Sequence, residues 1–189
     1  MTDFIWIGDK SNTDLGFIVR GTSKRPGLPE TVDRTLQIPG RHGLYDFGAT
    51  LGPLSFSFEC AFITRDAFEL QQRVMALART LLDSNGRPRT FELRLRERPG
   101  QHFMARYVGS FDVDRIIGTG IFSLPLTVFD PFASSDEEQI FEGVITYSPF
   151  TVEINSEGIV RTPPVIVLSN EGTETITRFT ITNEYRLEE

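Results

Sequence analysis

The feature that most constrains this chain is the run from Leu54 to Ile63, where Phe56, Phe58, Cys60 and Phe62 recur at every second position. Side chains along a β-strand point alternately to opposite faces, so these four share one face. A helix would scatter them around its axis. The run therefore reads as a strong strand with one buried face, and the chain must supply a sheet around it.

Other segments alternate in the same way. Phe4–Ile7 is a short apolar run closed by Gly8 and Asp9, and Leu15–Arg20 is a second. Residues 21–30 are rich in turn formers. In 31–38, Val32, Arg34, Leu36 and Ile38 alternate with Thr31, Asp33, Thr35 and Gln37, and residues 39–43 follow as a loop. One helix stands out. Asp66 and Glu69 have the spacing of a capping box. Leu70, Val74, Leu77 and Leu81 then form an apolar stripe, and Ser84-Asn85-Gly86 closes it, with Gly86 as a left-handed cap. That predicts a rod of about 19 residues and roughly 28 Å.

Residues 91–108 read as a hairpin. Phe91, Leu93 and Leu95 lie on one face of its first strand, with Arg94 and Arg96 on the other. An odd-length turn near Pro99-Gly100, five residues by preference, pairs Phe91 with Tyr107, Leu93 with Ala105 and Leu95 with Phe103. Phe111–Ile117 and Ile121–Phe129 make another antiparallel pair around Gly118-Thr119-Gly120. The expected class is mainly β, a sandwich or open barrel with one packed helix.

Charge marks a boundary. Residues 1–132 hold 16 Lys and Arg against 15 Asp and Glu, whereas residues 133–189 hold 3 against 11. We expect a domain over 1–132, a linker over 133–138, and a small β-rich segment over 139–189 with strands at 140–147, 164–169 and 175–182. Neither part has the basic surplus of a general nucleic-acid binder. Cys60 is the only cysteine, which excludes intramolecular disulfides and Cys-rich zinc modules. No apolar run approaches a membrane span, and the start lacks the pattern of a secretory signal. These features lead us to expect a soluble protein made in a cytoplasm.

No catalytic constellation emerges. His42 and His102, the two histidines, have no metal-ligand spacing, and there is no Gly-x-Ser-x-Gly elbow. Gly118-Thr119-Gly120 joins strands and precedes no helix that could receive a phosphate. Glu59 and Glu92 are strand carboxylates of the kind expected by chance among 26 acids. Cys60 reads as a buried small hydrophobe. We expect no enzyme, metal or cofactor. The set Arg87, Arg89, Arg94, Arg96, Arg98 and Arg106 is open to three readings: a solvated face balanced by Glu92 and Glu97, a protein interface, or contact with a DNA backbone.

The order of these pieces resembles a known family. The Phe4–Gly8 strand is followed by Leu15–Val19, the Arg25-Pro26 turn, and Leu36-Gln37-Ile38-Pro39-Gly40-Arg41-His42-Gly43. The aromatic strand, the helix, the 91–107 hairpin and Leu126-Thr127-Val128-Phe129-Asp130-Pro131-Phe132 complete it. Residues 1–132 resemble the amino-terminal domain of distal tail proteins from long-tailed phages of Gram-positive bacteria. The resemblance implies a β-sandwich with a helix and a projecting hairpin, and six copies in a ring that joins the tail tube to the tip. It implies contacts with tail-tube protein, tape-measure protein and a tail-associated adhesin or lysin. DNA would pass through the lumen as cargo. It implies no membrane, a place in the virion tail tip or baseplate, and assembly in the host cytoplasm. Arg94, Arg96, Arg98, Arg106 and Arg41 are the expected ring or partner contacts.

Residues 139–189 resemble the opening of the family's galectin-like domain, on Asn155–Gly158 and Thr162–Leu168. The sequence ends at Glu189 before such a sandwich could close, so the resemblance gives no expectation of a complete sugar site. The alternatives are a carbohydrate-binding module using Tyr147 and Phe150, another tail-ring or tail-tube subunit, and a cell-wall hydrolase.

Overall fold

The computed structural model describes residues 2–116, 119–155, 158, 160 and 162–184. Eleven strands are assigned: β1 (Ile5–Ile7), β2 (Lys10–Ser11), β3 (Phe17–Val19), β4 (Thr31–Leu36), β5 (Tyr45–Leu51), β6 (Leu54–Ile63), β7 (Thr90–Leu95), β8 (Gln101–Tyr107), β9 (Val113–Ile116), β10 (Thr119–Val128) and β11 (Ser134–Ser135). One helix, α1 (Ala67–Leu81), lies between β6 and β7. Nine strands form one sheet in the order β2-β1-β7-β8-β10-β6-β3, with β11 also on β8 and β9 also on β10. The expected sandwich is thus realised as a single curled sheet with a helix over its apolar face.

The trunk is the antiparallel ladder of β6 with β10, paired without interruption from Leu54↔Val128 to Ile63↔Thr119. The period-2 reading of β6 holds: Phe58, Cys60 and Phe62 are fully buried and Phe56 nearly so. Phe62 stacks on Phe122 of β10 at 4.7 Å between ring centroids, and Phe17 meets both edge-on. Burial pushes the Cys60 thiol far up from its ordinary range. Pro125 is tolerated inside β10 because it falls between the stretch paired to β9 (Thr119–Phe122) and that paired to β8 (Leu126–Val128). Its carbonyl accepts the Val108 N–H at 3.4 Å just past the end of β8, so its missing N–H costs the sheet only the terminal rung of that pairing.

The helix starts as expected. The Asp66 carboxylate accepts the Glu69 backbone N–H at 2.8 Å. The Glu69 carboxylate accepts the Arg65 N–H at 3.0 Å, one residue earlier than a capping box requires. That N–H, and then Arg73, hold the Glu69 carboxyl below its usual range. Leu70, Leu77 and Leu81 are buried. The helix ends sooner than predicted, with Leu82 already extended. Gly86, at φ +76°, serves a turn organised by Asp83, whose carboxylate accepts the N–H groups of Asn85 and Arg87. This competing turn is why the polar closing residues do not extend α1.

Asn12 joins the first strands. It is fully buried, and its side-chain oxygen accepts N–H groups from Phe4 (2.8 Å) and Ile5 (3.3 Å). Its amide donates to the Phe17 carbonyl at 3.0 Å. A buried polar side chain is stable only when satisfied in this way.

Three expectations are corrected. First, the 91–107 hairpin does not project: β1 flanks β7, and β10 and β11 flank β8. Its pairs are Phe91↔Ala105 and Leu93↔Phe103, two residues from the predicted register. The five-residue turn, Arg96–Gly100, is as preferred but begins one residue early, and an even shift keeps the apolar face inward. Second, the hairpin that stands apart is β4–β5, a two-stranded sheet of its own in which every residue is exposed. Third, the runs at 140–147, 164–169 and 175–182 form no strands among the described residues. Alternation states what a strand would bury once paired, and Val165, Val167 and Phe179 there remain exposed.

Contacts divide the chain into Met1–Val144 and Ile145–Glu189. Ser134 and Ser135, within the stretch read as a linker, pair with His102 and Gln101 of β8. The Ile117-Gly118 part of the predicted turn, and Ser156-Glu157 of the predicted opening motif, lie outside the described residues.

Gly120 permits the helix to approach β10. A Cβ there would lie 2.7 Å from Leu70 Cδ1 and 2.8 Å from Val113 Cγ1. Gly120→Val should lower unfolding free energy by about 1–3 kcal/mol in urea titration. Gly21→Ala, with open space around it, should stay within about 0.5 kcal/mol.

Candidate functional site

The five arginines expected at an interface all have partners within the chain. Arg94 on β7 contacts Glu92 at 2.6 Å and Asp136 at 3.3 Å. The guanidinium of Arg96 lies 5.7 Å from the Phe4 ring centroid, and that of Arg98 lies 5.4 Å from Phe103. Arg106 covers Phe129 at 4.5 Å, and Arg41 covers Tyr45 at 3.9 Å. The register puts Arg94 and Arg106 on the outer face of β7–β8, four rungs apart, with the Glu92↔Met104 pair between them. Arg98 covers a ring that belongs to the opposite, core face. Arg41 sits apart on the loop of the β4–β5 arm. The structure therefore places Arg94 and Arg106 on one sheet face, at opposite ends of the β7–β8 ladder, and does not gather the five. Arg87 lies in the turn after α1, and Arg89 lines a shallow depression there with Met75, Arg79 and Leu82. Asp83 and Ser84 also line it, and the Asp83 carboxylate is committed to the Asn85 and Arg87 N–H groups of the turn.

His102 faces Asp136, with Nδ1 at 2.7 Å from Oδ1, and His42 is exposed on the arm loop. Hydrogen bonds from His102, then from Arg94, hold the Asp136 carboxyl below its ordinary range. Among the described residues no three His, Cys, Asp or Glu side chains are grouped to hold a metal ion. Tyr147 and Phe150 meet edge to face at 5.7 Å, so Phe150 already covers part of the Tyr147 ring.

The surface that sequence reasoning missed is the arm. Tyr45, Phe47, Ala49 and Leu51 alternate with Asp46, Gly48 and Thr50, a strand signal that could have revealed β5 and that the sequence reading passed over. In the structure the register slips between Asp33 and Thr35, where β5 carries an extra residue beside Gly48 at φ +90°. Such a bulge suits glycine. Val32, Leu36, Leu44, Tyr45, Phe47 and Leu51 are all exposed, Phe47 by 66%. The root of the arm is tied down: the Gly52 N–H donates to the Glu30 carbonyl at 2.7 Å, Lys24 bridges to Ser57, and Arg25 pairs with Glu97 in the β7–β8 turn. The arm is thus anchored at its base and bare beyond it.

A family model described as the phage tail protein RIFT-related domain matches residues 10–128. The chain belongs to that family. The fold agrees. A crystal structure of the phage SPP1 Dit (gp 19.1) protein, titled a paradigm of the hub adsorption apparatus in phages infecting Gram-positive bacteria, matches with a TM-score of 0.60 at 14% identity. The match covers 71% of this chain and 53% of that one, so the chain spans about half the length of that protein. No curated protein matches the sequence. The resemblance drawn from residues 1–132 is borne out in family, a phage tail protein domain, and in fold, that of a distal tail protein.

The arginine contacts generate a prediction. Exposed cation–π pairs contribute about 0.5–1 kcal/mol. Arg98→Ala and Arg106→Ala should each shift the chemical denaturation midpoint by no more than that implies, leaving the fold intact by circular dichroism.

Proposed function

We propose that this protein is the hub of a siphophage tail tip. Six copies close into a ring that joins the tail tube to the tip and lets DNA pass through its lumen as cargo. The ring meets tail-tube protein, tape-measure protein and a tail-associated adhesin or lysin, with no membrane contact and no catalytic step. It is assembled in the host cytoplasm and ends in the virion baseplate.

The observation that carries this reading is the β4–β5 arm. A two-stranded hairpin is marginal alone in water. This one offers open strand edges and a row of large apolar side chains that, apart from Tyr45 under Arg41, stay exposed among the described residues. Exposed apolar surface of this kind marks an assembly contact. In a closed ring each copy supplies one arm and receives another, so every arm is covered without leaving a free end. Arg94 and Arg106 on the outer sheet face, Arg96 and Arg98 in the β7–β8 turn, and Arg41 near the arm tip are the polar contacts we assign to ring or partner surfaces.

Light scattering over a concentration series, with negative-stain images of the same samples, tests the proposal. Annular particles near six times 21.4 kDa are expected. The double variant Leu36→Asp, Phe47→Asp should give monomers with an unchanged unfolding midpoint, because neither residue belongs to the core. Long stacked tubes would replace the hub with a tail-tube role. Rings that persist in the double variant would remove the arm from the contact.

A further inference from the structure

α1 has two lengthwise stripes, and its own fold uses only one. Leu70, Val74, Leu77 and Leu81 pack on the core. On the other side Phe68, Gln72, Met75 and Arg79 follow one another at spacings of four, three and four. At about 100° per residue they keep within roughly 60° of one line, nearly opposite the core stripe. Phe68 is 74% exposed and Met75 46%. Leu82 closes the row as the chain leaves the helix, and it lines the same depression as Met75 and Arg79. This spacing is that of a coiled-coil seam, with Phe68, Met75 and Leu82 at d and Gln72 and Arg79 at a. The end of the row is cationic. Arg79 and Arg89 line the depression, and Arg87 follows in the adjoining turn. All three are exposed, and none of their guanidinium groups forms an ion pair among the described residues, whereas Arg25, Arg73 and Arg94 each hold a carboxylate. The local acids are engaged: Asp66 and Asp83 accept backbone N–H groups, and Glu69 accepts the Arg65 N–H and binds Arg73.

We propose that the outer face of α1 is a docking site for an amphipathic helix with acidic flanks, contributed by another protein. The spacing selects a helix, because a strand repeats its side chains every second residue and cannot follow a seam of fours and threes. The three unpaired arginines select acidic e and g positions on that helix. A second copy of this chain fits less well. α1 is the one helix among the described residues, and pairing it with itself would set cationic ends on a surface that offers them no free carboxylate. The acidic stretch after residue 132 forms no helix among the described residues, so it lacks the matching period. Polar residues at a, here Gln72 and Arg79, fix the register of a seam at a cost in stability, so the site favours selective over tight binding. It uses no residue of the β4–β5 arm and stands apart from the ring reading.

Fluorescence anisotropy of the full chain with a labelled three-heptad peptide, Leu at a and d and Glu at e and g, tests the site. The same peptide with Lys at e and g is the comparison. The acidic peptide should bind, and the basic one should bind about tenfold more weakly or worse, since like charges then face each other. Phe68→Asp places a carboxylate in the first helical turn, where the helix dipole favours it, so the fold is kept while the apolar anchor is lost. It should weaken the acidic peptide about tenfold. Arg79→Glu with Arg89→Glu should weaken it similarly and flatten its salt dependence. The arm variant Leu36→Asp, Phe47→Asp should leave peptide binding unchanged even where rings fail, which separates this site from the hub reading. Circular dichroism confirms the fold of each variant. No binding of the acidic peptide, equal binding of the two peptides, or binding that survives in either α1 variant overturns the proposal. Rings lost in Phe68→Asp would overturn it too, by giving this face to a neighbouring copy.

Discussion

The architecture depends on the ladder between β6 and β10. It is the longest pairing in the molecule, and it commits the phenylalanines of both strands to one face. That face cannot be left in water, so the sheet curls and α1 covers it. The helix in turn needs close approach, which Gly120 permits where Leu70 and Val113 meet β10. β3 extends the ladder on one side, while β8 and β9 share the other. The position of Pro125 follows from that sharing, as the residue at which β10 changes neighbours.

Sequence pattern disclosed the parts of this arrangement that one strand or one helix determines by itself. The aromatic alternation of β6, the apolar stripe of α1 and its Asp66 cap are local facts, and the structure keeps them. Parity of the β7–β8 hairpin was also legible, because an odd shift would have exposed Phe91, Leu93 and Leu95. Its absolute register was not, since an even shift leaves every face unchanged. β5 carried an intact alternation in Tyr45, Phe47, Ala49 and Leu51, but the bulge at Gly48 and the strand's lack of a buried face depend on its partner and were not legible. The runs near Val165 and Phe179 show the reverse failure, an alternation with no partner strand to act on.

The arginines carry a separate lesson. Their enrichment around 87–106 suggested one surface, but sequence spacing does not report what each guanidinium covers. Arg96, Arg98 and Arg106 each lie over a ring, and Arg94 is held between two carboxylates. They shield aromatic edges as well as presenting charge. The arm lacks such shielding apart from Arg41 over Tyr45. It is a region whose conformation the chain's own core does little to fix.

Cys60 has a practical meaning of its own. As the sole thiol, enclosed midway along β6 and kept protonated by its surroundings, it is silent to alkylating and oxidising reagents until the trunk opens. The native molecule is in effect a cysteine-free scaffold. A single thiol installed on the arm or the outer face of α1 would take a fluorophore or spin label there alone, and slow uptake at Cys60 would time the breathing of the β6–β10 ladder.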